Sequence, residues 1–213
     1  MQEEIFENYK LGDIVTSMIF LLPQSVLIDE DLFKHEGLIN KLVNSDQLKD
    51  IPEAVNRDPV KTLEKIARTV IDNTPAHNTS FWQKFVEKAD ESKDHRLIYS
   101  LSSCIEEGLV TCFHRAVVYS LLCHQFDTEI IRCSVIQDSW HQGEDRDFHL
   151  WNFVHLPKNK ASYLVDCSLL NIDLSPIIEK SEDYKNGKKI ILKNGNERVY
   201  YPGSRVILER DIV

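Results

Sequence analysis

The sequence FHLWNFVHL at residues 148–156 predicts a β-strand, since aromatic and β-branched side chains dominate it. In a strand, neighbouring side chains point to opposite faces. One face would carry two imidazoles and two aromatic rings, and the other would carry aliphatic side chains and one amide. The short turn PKNK at 157–160 and a second strand-like sequence, ASYLVDC at 161–167, follow directly. Together these sequences predict an antiparallel hairpin.

A buried helix is predicted upstream of this hairpin, in the sequence TCFHRAVVYSLLCHQ at residues 111–125. Its apolar side chains occupy most sides of a helical projection, which is typical of a helix inside a core. Thr111 or Gly108 would cap its N-terminus. Cys112 would then lie among unpaired backbone N–H groups at the positive end of the helix dipole, where a thiolate is favoured.

The rest of the chain divides into a helical first part and a strand-rich second part. Residues 1 to about 126 predict mainly helix, with a clear start at Asp58-Pro59, whereas residues after Phe126 predict strands. A second hairpin is predicted at residues 190–201 and an edge strand at 206–208. We therefore predict an α+β fold, with a helical N-terminal region (1–95) integrated with a core (96–213) that ends in a β-hairpin.

Composition excludes several classes of protein. The chain has 213 residues, 42% of them hydrophobic, and a formal net charge of −9, which disfavours nucleic acid or an anionic membrane as the partner. Its five cysteines form no regular disulfide framework and indicate a reducing compartment. The apolar sequence at 14–22 is too short to span a bilayer, and no secretory signal is predicted. We expect a cytoplasmic protein, although export by a dedicated secretion system would leave the same composition.

Three residues form a candidate catalytic group. Cys112 opens the buried helix, His149 lies on the first strand of the hairpin, and Asp166 closes the second strand. A thiol, an imidazole and a carboxylate in this relation can activate a cysteine nucleophile. Asp166 would fix the tautomer of His149, and His149 could reach Cys112 if its face of the strand meets the helix.

The stretch from Gly108 to about Leu170 resembles the transglutaminase-like superfamily, a papain-related group. The resemblance rests on Cys at the start of a buried helix (CFHRA, 112–116), a His-x-Trp-x-x-Val strand (HLWNFV, 149–154) and a strand ending in Val-Asp (LVDCS, 164–168). It implies a papain/transglutaminase-like core in which a helix packs on an antiparallel sheet. It also implies a catalytic Cys112, a general-base His149 and an orienting Asp166.

The expected activity is a cysteine-dependent hydrolase that cleaves an amide or acyl group of a protein or peptide substrate through a thioester. Peptidase, amidase and deamidase activities are all compatible with these residues. A transglutaminase-type transfer to an amine uses the same groups, and a catalytically silent module that binds a protein partner would retain the same fold. Acyl transfer from a thioester cofactor is a further alternative, but no cofactor site is visible, and we expect no cofactor.

Residues around the catalytic group are also candidates for substrate binding. Trp151 would form a wall of the site, and His141 would lie in a gating loop at residues 138–147. The Cys112 backbone N–H is a candidate oxyanion donor, with Ser103 or Asn152 as a side-chain alternative. A zinc site is not expected, because short metal-ligand pairs such as Cys-x-x-Cys are missing from the sequence.

Overall fold

The computed structural model describes most of the chain up to residue 167 and five short strands beyond it. The described residues are 9–17, 24–75, 98–142, 145–167, 177–180, 188–191, 197–200, 204–205 and 207–209. Within these ranges the fold mixes helices with three β-sheets, which is compatible with the predicted α+β class. Residues 76–97, which belong to the part of the chain predicted to be mainly helical, lie outside the described residues.

A five-stranded sheet forms the centre of the described fold. Its strands are β4 (Arg132–Gln142), β5 (Asp145–Leu156), β6 (Ala161–Asp166), β7 (Ile177–Lys180) and β10 (Ser204–Arg205), in the order β10-β4-β5-β6-β7. All neighbours in this sheet are antiparallel. The predicted hairpin is confirmed, since β5 and β6 pair and the turn at 157–160 joins them.

Five helices lie in the described part of the chain, with a 3-10 helix (Glu30–Leu32) before them. They are α1 (Leu38–Val43), α2 (Ile51–Arg57), α3 (Pro59–Asn73), α4 (Leu101–Glu106) and α5 (Cys112–His124). The predicted start of α3 is confirmed, because the Asp58 side chain accepts a hydrogen bond from the Lys61 N–H and Pro59 occupies the first turn. Helix α5 packs against β4 and β5, and α3 packs against α5.

One large apolar core joins these helices to the central sheet. It contains buried side chains of α1, α2 and α3, nearly the whole of α5, and one face of β4, β5 and β6. Every residue of α5 from Phe113 to Cys123 is buried, which confirms the prediction of a helix covered on most sides. Each fully buried Leu or Val contributes about 1.5–3 kcal/mol, so this core dominates the stability of the fold.

The prediction of a mainly helical N-terminal region is wrong at its start. Two short strands, β1 (Ile14–Ser17) and β2 (Gln24–Leu27), pair with each other there. They form a second sheet with β3 (Ile98–Ser100) and β11 (Ile207–Glu209), in the order β11-β1-β2-β3. The physical reason is pairing with a distant segment, because the partner of β1 comes from the end of the chain.

Two further predictions about strands are confirmed. The hairpin predicted at 190–201 corresponds to β8 (Lys188–Ile191) and β9 (Glu197–Tyr200), which pair antiparallel. The predicted last edge strand corresponds to β11, which lies at the edge of the second sheet. Within the part of the chain predicted to be mainly helical, residues 98–100 form β3 instead, and α4 starts at Leu101.

Candidate active site

Cys112 is the first residue of α5, as predicted. Thr111 is the N-cap residue, and its hydroxyl accepts a hydrogen bond from the Phe113 N–H at 3.2 Å. The backbone N–H groups of a first helical turn point towards the helix N-terminus and carry its partial positive charge. Cys112 therefore lies at the positive end of the helix dipole.

A tight turn delivers the chain to this position. Helix α4 ends with Gly108 at a φ of 69°, a backbone conformation that glycine adopts without a Cβ clash. The Leu109 N–H donates to the Cys104 carbonyl at 2.8 Å, and the Gly108 N–H donates to the Ile105 carbonyl at 3.1 Å. These two bonds form a Schellman motif, which stops α4 and turns the chain towards Thr111.

His114 completes the cap of α5 and does not act as a second base. Its Nδ1 accepts a hydrogen bond from the Thr111 N–H at 3.1 Å, so Thr111 and His114 form a reciprocal capping box. The ring is buried, and burial lowers the pKa of His114 to about 3. The imidazole therefore stays neutral at physiological pH and supports the helix start.

Cys112 is the one cysteine of the five that is not buried. Cys104, Cys123, Cys133 and Cys167 are all buried free thiols. Burial raises the pKa of both Cys123 and Cys167 well above the ordinary thiol value. Cys112 is partly exposed at the helix N-terminus, so a substrate can reach only this thiol without opening the core.

The predicted pairing of His149 with Asp166 is present in the structure. His149 Nε2 donates to Asp166 Oδ2 at 2.7 Å, and both side chains are buried. The strands β5 and β6 set this contact, because they are antiparallel and Asp166 is the last residue of β6. A buried carboxylate bonded to one imidazole nitrogen orients the ring and stabilises its protonated form.

Helix α5 packs against one face of β5, and His149 lies on the other face, away from Cys112. Leu150, Val154 and Leu156 belong to the large core with α5, and the Asn152 side-chain amide donates to the Ala116 carbonyl of α5 at 2.9 Å. Trp151 lies on the other face, in a small cluster with Ile136 and Leu164. Strand alternation places His149 on the Trp151 face. Among the described residues, no hydrogen bond joins Cys112 to His149.

The end of β6 links the His149–Asp166 pair to α5 through Arg115. Cys167 follows directly after Asp166, and its carbonyl accepts a hydrogen bond from Arg115 Nη1 at 3.3 Å. Arg115 lies three residues after Cys112, so both residues are on one side of α5. Strand β5 runs antiparallel to β6, and the His149–Asp166 bond therefore forms at the end of β6 that Arg115 ties to α5.

Arg115 is the residue in this region that the sequence analysis missed. It is 2% exposed, and its guanidinium also donates from Nη2 to the Thr74 carbonyl at 2.7 Å and from Nε to the Thr74 hydroxyl at 3.2 Å. Arginine is almost never fully buried without a partner. One signal was present in the sequence, since Arg115 is the one Lys, Arg, Asp or Glu of α5.

The remaining candidates have separate outcomes. Asn152 is bonded to the Ala116 carbonyl and to Cys133 Sγ, which commits its amide to the helix contact and away from an oxyanion. Ser103 is exposed on α4. Trp151 is fully buried, and its role as a site wall stays a prediction. The expected loop at 138–147 is wrong, because the β4–β5 pairing continues through the pair His141 and Arg146.

Comparison of the chain with protein-family models, with curated proteins and with solved structures finds no match. No cluster of His, Cys, Asp or Glu within the described residues could hold a metal ion. No helix in the described part of the chain is long and apolar enough to cross a membrane.

Proposed function

We propose that this protein is a cysteine-dependent amide or acyl hydrolase with a papain/transglutaminase-like core. Cys112 is the nucleophile, His149 is the general base and Asp166 orients His149. The observation that carries the proposal is the buried hydrogen bond of 2.7 Å between His149 and Asp166, next to Cys167, whose carbonyl is bonded to Arg115 of α5. Burying an imidazole with a carboxylate costs several kcal/mol in desolvation, and catalysis is a common reason for such a pair.

The reaction begins with the thiolate of Cys112, which attacks the carbonyl carbon of the substrate. The sulfur–carbon bond forms while the carbonyl electrons move to oxygen, and the Cys112 backbone N–H is the first candidate to stabilise this oxyanion. The tetrahedral intermediate then collapses to a thioester, and the leaving amine takes a proton from His149. Water, deprotonated by His149, attacks the thioester and releases the acid and the free thiol.

The His149–Asp166 bond decides which nitrogen performs these steps. Asp166 engages Nε2, so Nδ1 is the ring nitrogen that exchanges protons with Cys112 and with water. The mechanism requires Cys112 Sγ and His149 Nδ1 to come within hydrogen-bonding distance in the substrate complex, whereas in the described structure His149 lies on the face of β5 that turns away from α5. An amine that replaces water as the acceptor gives transamidation by the same groups.

A panel of acyl substrates tests the proposal. Casein and a blocked glutamine peptide are incubated with the wild type, and the readouts are new amino termini, released ammonia and incorporation of a fluorescent primary amine. We expect one of these activities in the wild type, its complete loss in Cys112→Ala and a loss of about 10³-fold or more in His149→Ala. Cys104→Ala is the matched control, since this buried cysteine lies on α4, and it retains activity. Activity that survives in Cys112→Ala contradicts the proposal.

A second candidate function is a catalytically silent module that binds a protein partner. One observation favours it, namely that the α5-facing side of β5 carries Asn152 and aliphatic residues and leaves His149 on the other side. In that case the His149–Asp166 pair stabilises the fold. A purified partner whose affinity is the same for the wild type and Cys112→Ala, together with no activity on the panel, would support this function.

A further inference from the structure

Arg115 carries a buried positive charge. In the described part of the chain, its hydrogen-bond partners are all neutral groups. Its four hydrogen bonds end on the carbonyl and hydroxyl of Thr74 and on the Cys167 carbonyl. Among the described residues, no carboxylate forms an ion pair with it. A guanidinium remains protonated in proteins, and an ion removed from water without a counter-charge is strongly destabilising. A buried cation of this kind therefore calls for a nearby anion.

Two thiols interact electrostatically with Arg115. Burial lowers the pKa of Arg115, whereas Coulombic interaction with the thiols of Cys167 and Cys112 raises it. Of these two thiols, Cys167 is buried, and burial together with the neighbouring Asp166 raises its pKa well above the ordinary value. Cys112 is the partly exposed one of the two and lies at the N-terminus of α5, three residues before Arg115.

We propose that Arg115 is a positioning residue for the nucleophile, in that it ties the first turn of α5 to the end of β6 and provides the permanent positive charge that stabilises the Cys112 thiolate. This proposal rests on the proposed function for its catalytic meaning, but the thiolate itself can be measured without any substrate. The spacing supports it, because residues three apart on a helix lie on the same side. The tie supports it as well, because Arg115 bonds to the residue that follows Asp166.

Other ionisable groups on the elements packed around α5 do not take over this role. His114 on α5 is neutral, because burial lowers its pKa to about 3. The acidic side chains nearest to Cys112 in sequence, Glu106 and Glu107, are exposed, and their negative charge opposes a thiolate. Further ionisable groups lie on the neighbouring elements, among them Lys41 on α1, Asp72 on α3, Glu106 on α4, Cys133 on β4, His149 on β5 and Asp166 on β6. Of these, His149 is bonded to Asp166, and its protonated form would add a positive charge beside the end of β6.

The test measures the rate of Cys112 alkylation between pH 5 and 9 with two probes, neutral iodoacetamide and anionic iodoacetate, followed by mass spectrometry of the Cys112 peptide. Arg115→Gln removes the charge but keeps amide donors for the Thr74 and Cys167 carbonyls, and Arg115→Lys keeps the charge. Arg68→Gln is the matched control, because Arg68 forms a surface ion pair with Glu64 on α3. Far-UV circular dichroism and thermal unfolding establish that each variant is folded.

We expect Arg115→Gln to lower the iodoacetamide rate at pH 7 by about tenfold, which is the effect of removing one charge near a thiol. Towards pH 9 the rate of this variant should approach the wild-type rate. The ratio of the iodoacetate rate to the iodoacetamide rate should fall in the same variant, because an anionic probe is attracted by the buried cation. Arg115→Lys and Arg68→Gln should stay within about threefold of the wild type in both measurements.

Two outcomes overturn the inference. One is a folded Arg115→Gln variant with the wild-type rate at every pH, and the other is an Arg115→Lys variant that loses the rate as fully as Arg115→Gln. If Arg115→Gln does not fold, the test uses Arg115→Lys and the ratio of the iodoacetate rate to the iodoacetamide rate in the wild type. A wild-type ratio equal to that of a free cysteine peptide rejects the inference. Repeating the series in His149→Ala separates the proposals, since the Arg115 effect persists there even if Cys112 and His149 never form a catalytic pair.

Discussion

The two faces of the central sheet differ in what they bury. The face towards the helices buries aliphatic side chains such as Leu150, Val154 and Val165 in one continuous core. The other face buries a small cluster around Trp151, and the ion-pairing groups His149 and Asp166 lie on it by strand alternation. The first face therefore holds the fold together through apolar area, whereas the second contains a hydrogen-bonded polar pair that adds little stability over an apolar replacement. The proposed general base and the carboxylate that orients it therefore lie on the second face, whereas Cys112 belongs to α5, which packs on the first.

His149 and Leu150 are neighbours on opposite faces of β5, so substitutions can test the two faces separately. The largest expected effect is on the face that carries His149. Asp166→Asn keeps the size of the side chain and removes the charge that orients His149. We expect kcat/KM to fall by about 10³-fold or more, with a loss of unfolding free energy of about 1–3 kcal/mol. Steady-state kinetics and urea unfolding measure the two quantities, and a variant with wild-type kcat/KM would show that the pair is structural.

Leu150→Ala reverses the pattern. It deletes a fully buried side chain from the large core, so we expect the unfolding free energy to fall by about 2–5 kcal/mol. The variant that remains folded should retain most of the Cys112 alkylation rate, because the substitution leaves both Arg115 and His149 in place. Urea unfolding of Leu150→Ala beside the exposed-site control Val60→Ala checks the first statement. An alkylation rate that falls in parallel with stability would mean that the two faces are not independent.

The sequence predicted the elements at this end of the molecule better than their arrangement. The cap at Thr111, the β5–β6 hairpin and the His149–Asp166 contact follow from local patterns, because each depends on residues close in sequence or on adjacent strands. Alternation along β5 showed which side chains share a face. It could not show which face meets α5, because both faces carry large apolar side chains, Trp151 and Phe153 on one and Leu150 and Val154 on the other.

The errors have similar physical causes. Strand β1 is four residues long and pairs with β11 at the far end of the chain, so no local pattern distinguishes it from a short helical turn. Residues 138–147 are rich in polar side chains, which is typical of a loop, yet the β4–β5 register extends through them. Arg115 lacked a motif, and its importance comes from contacts with Thr74 and Cys167, which are remote in sequence.

The unfolding free energy should also depend on pH, because His114 is buried on α5, the helix that packs on the first face of the sheet. The pKa of His114 is lowered to about 3 in the folded state, while an unfolded histidine titrates near pH 6.5. Its contribution is therefore fully present above about pH 6.5 and is lost as the pH falls towards 3, at up to about 1.4 kcal/mol per pH unit. Urea unfolding of the wild type and His114→Gln at pH 7, 6 and 5 measures this slope. The exposed His35→Gln variant is the control, and an equal slope in His114→Gln would contradict the prediction.

The smallest expected effect concerns Thr111, the N-cap residue of α5 that directly precedes Cys112. Thr111→Ala removes the hydroxyl that accepts the Phe113 N–H but leaves the backbone N–H that donates to His114. The unfolding free energy should fall by about 1 kcal/mol, the usual cost of losing an N-cap side chain, and Thr111→Ser should restore it. Because the cap also fixes the N–H groups around Cys112, the alkylation rate should fall by a few-fold in Thr111→Ala and recover in Thr111→Ser. A rate that stays constant while stability falls would show that the thiolate depends on Arg115 rather than on the helix terminus, and would leave the cap a purely structural role.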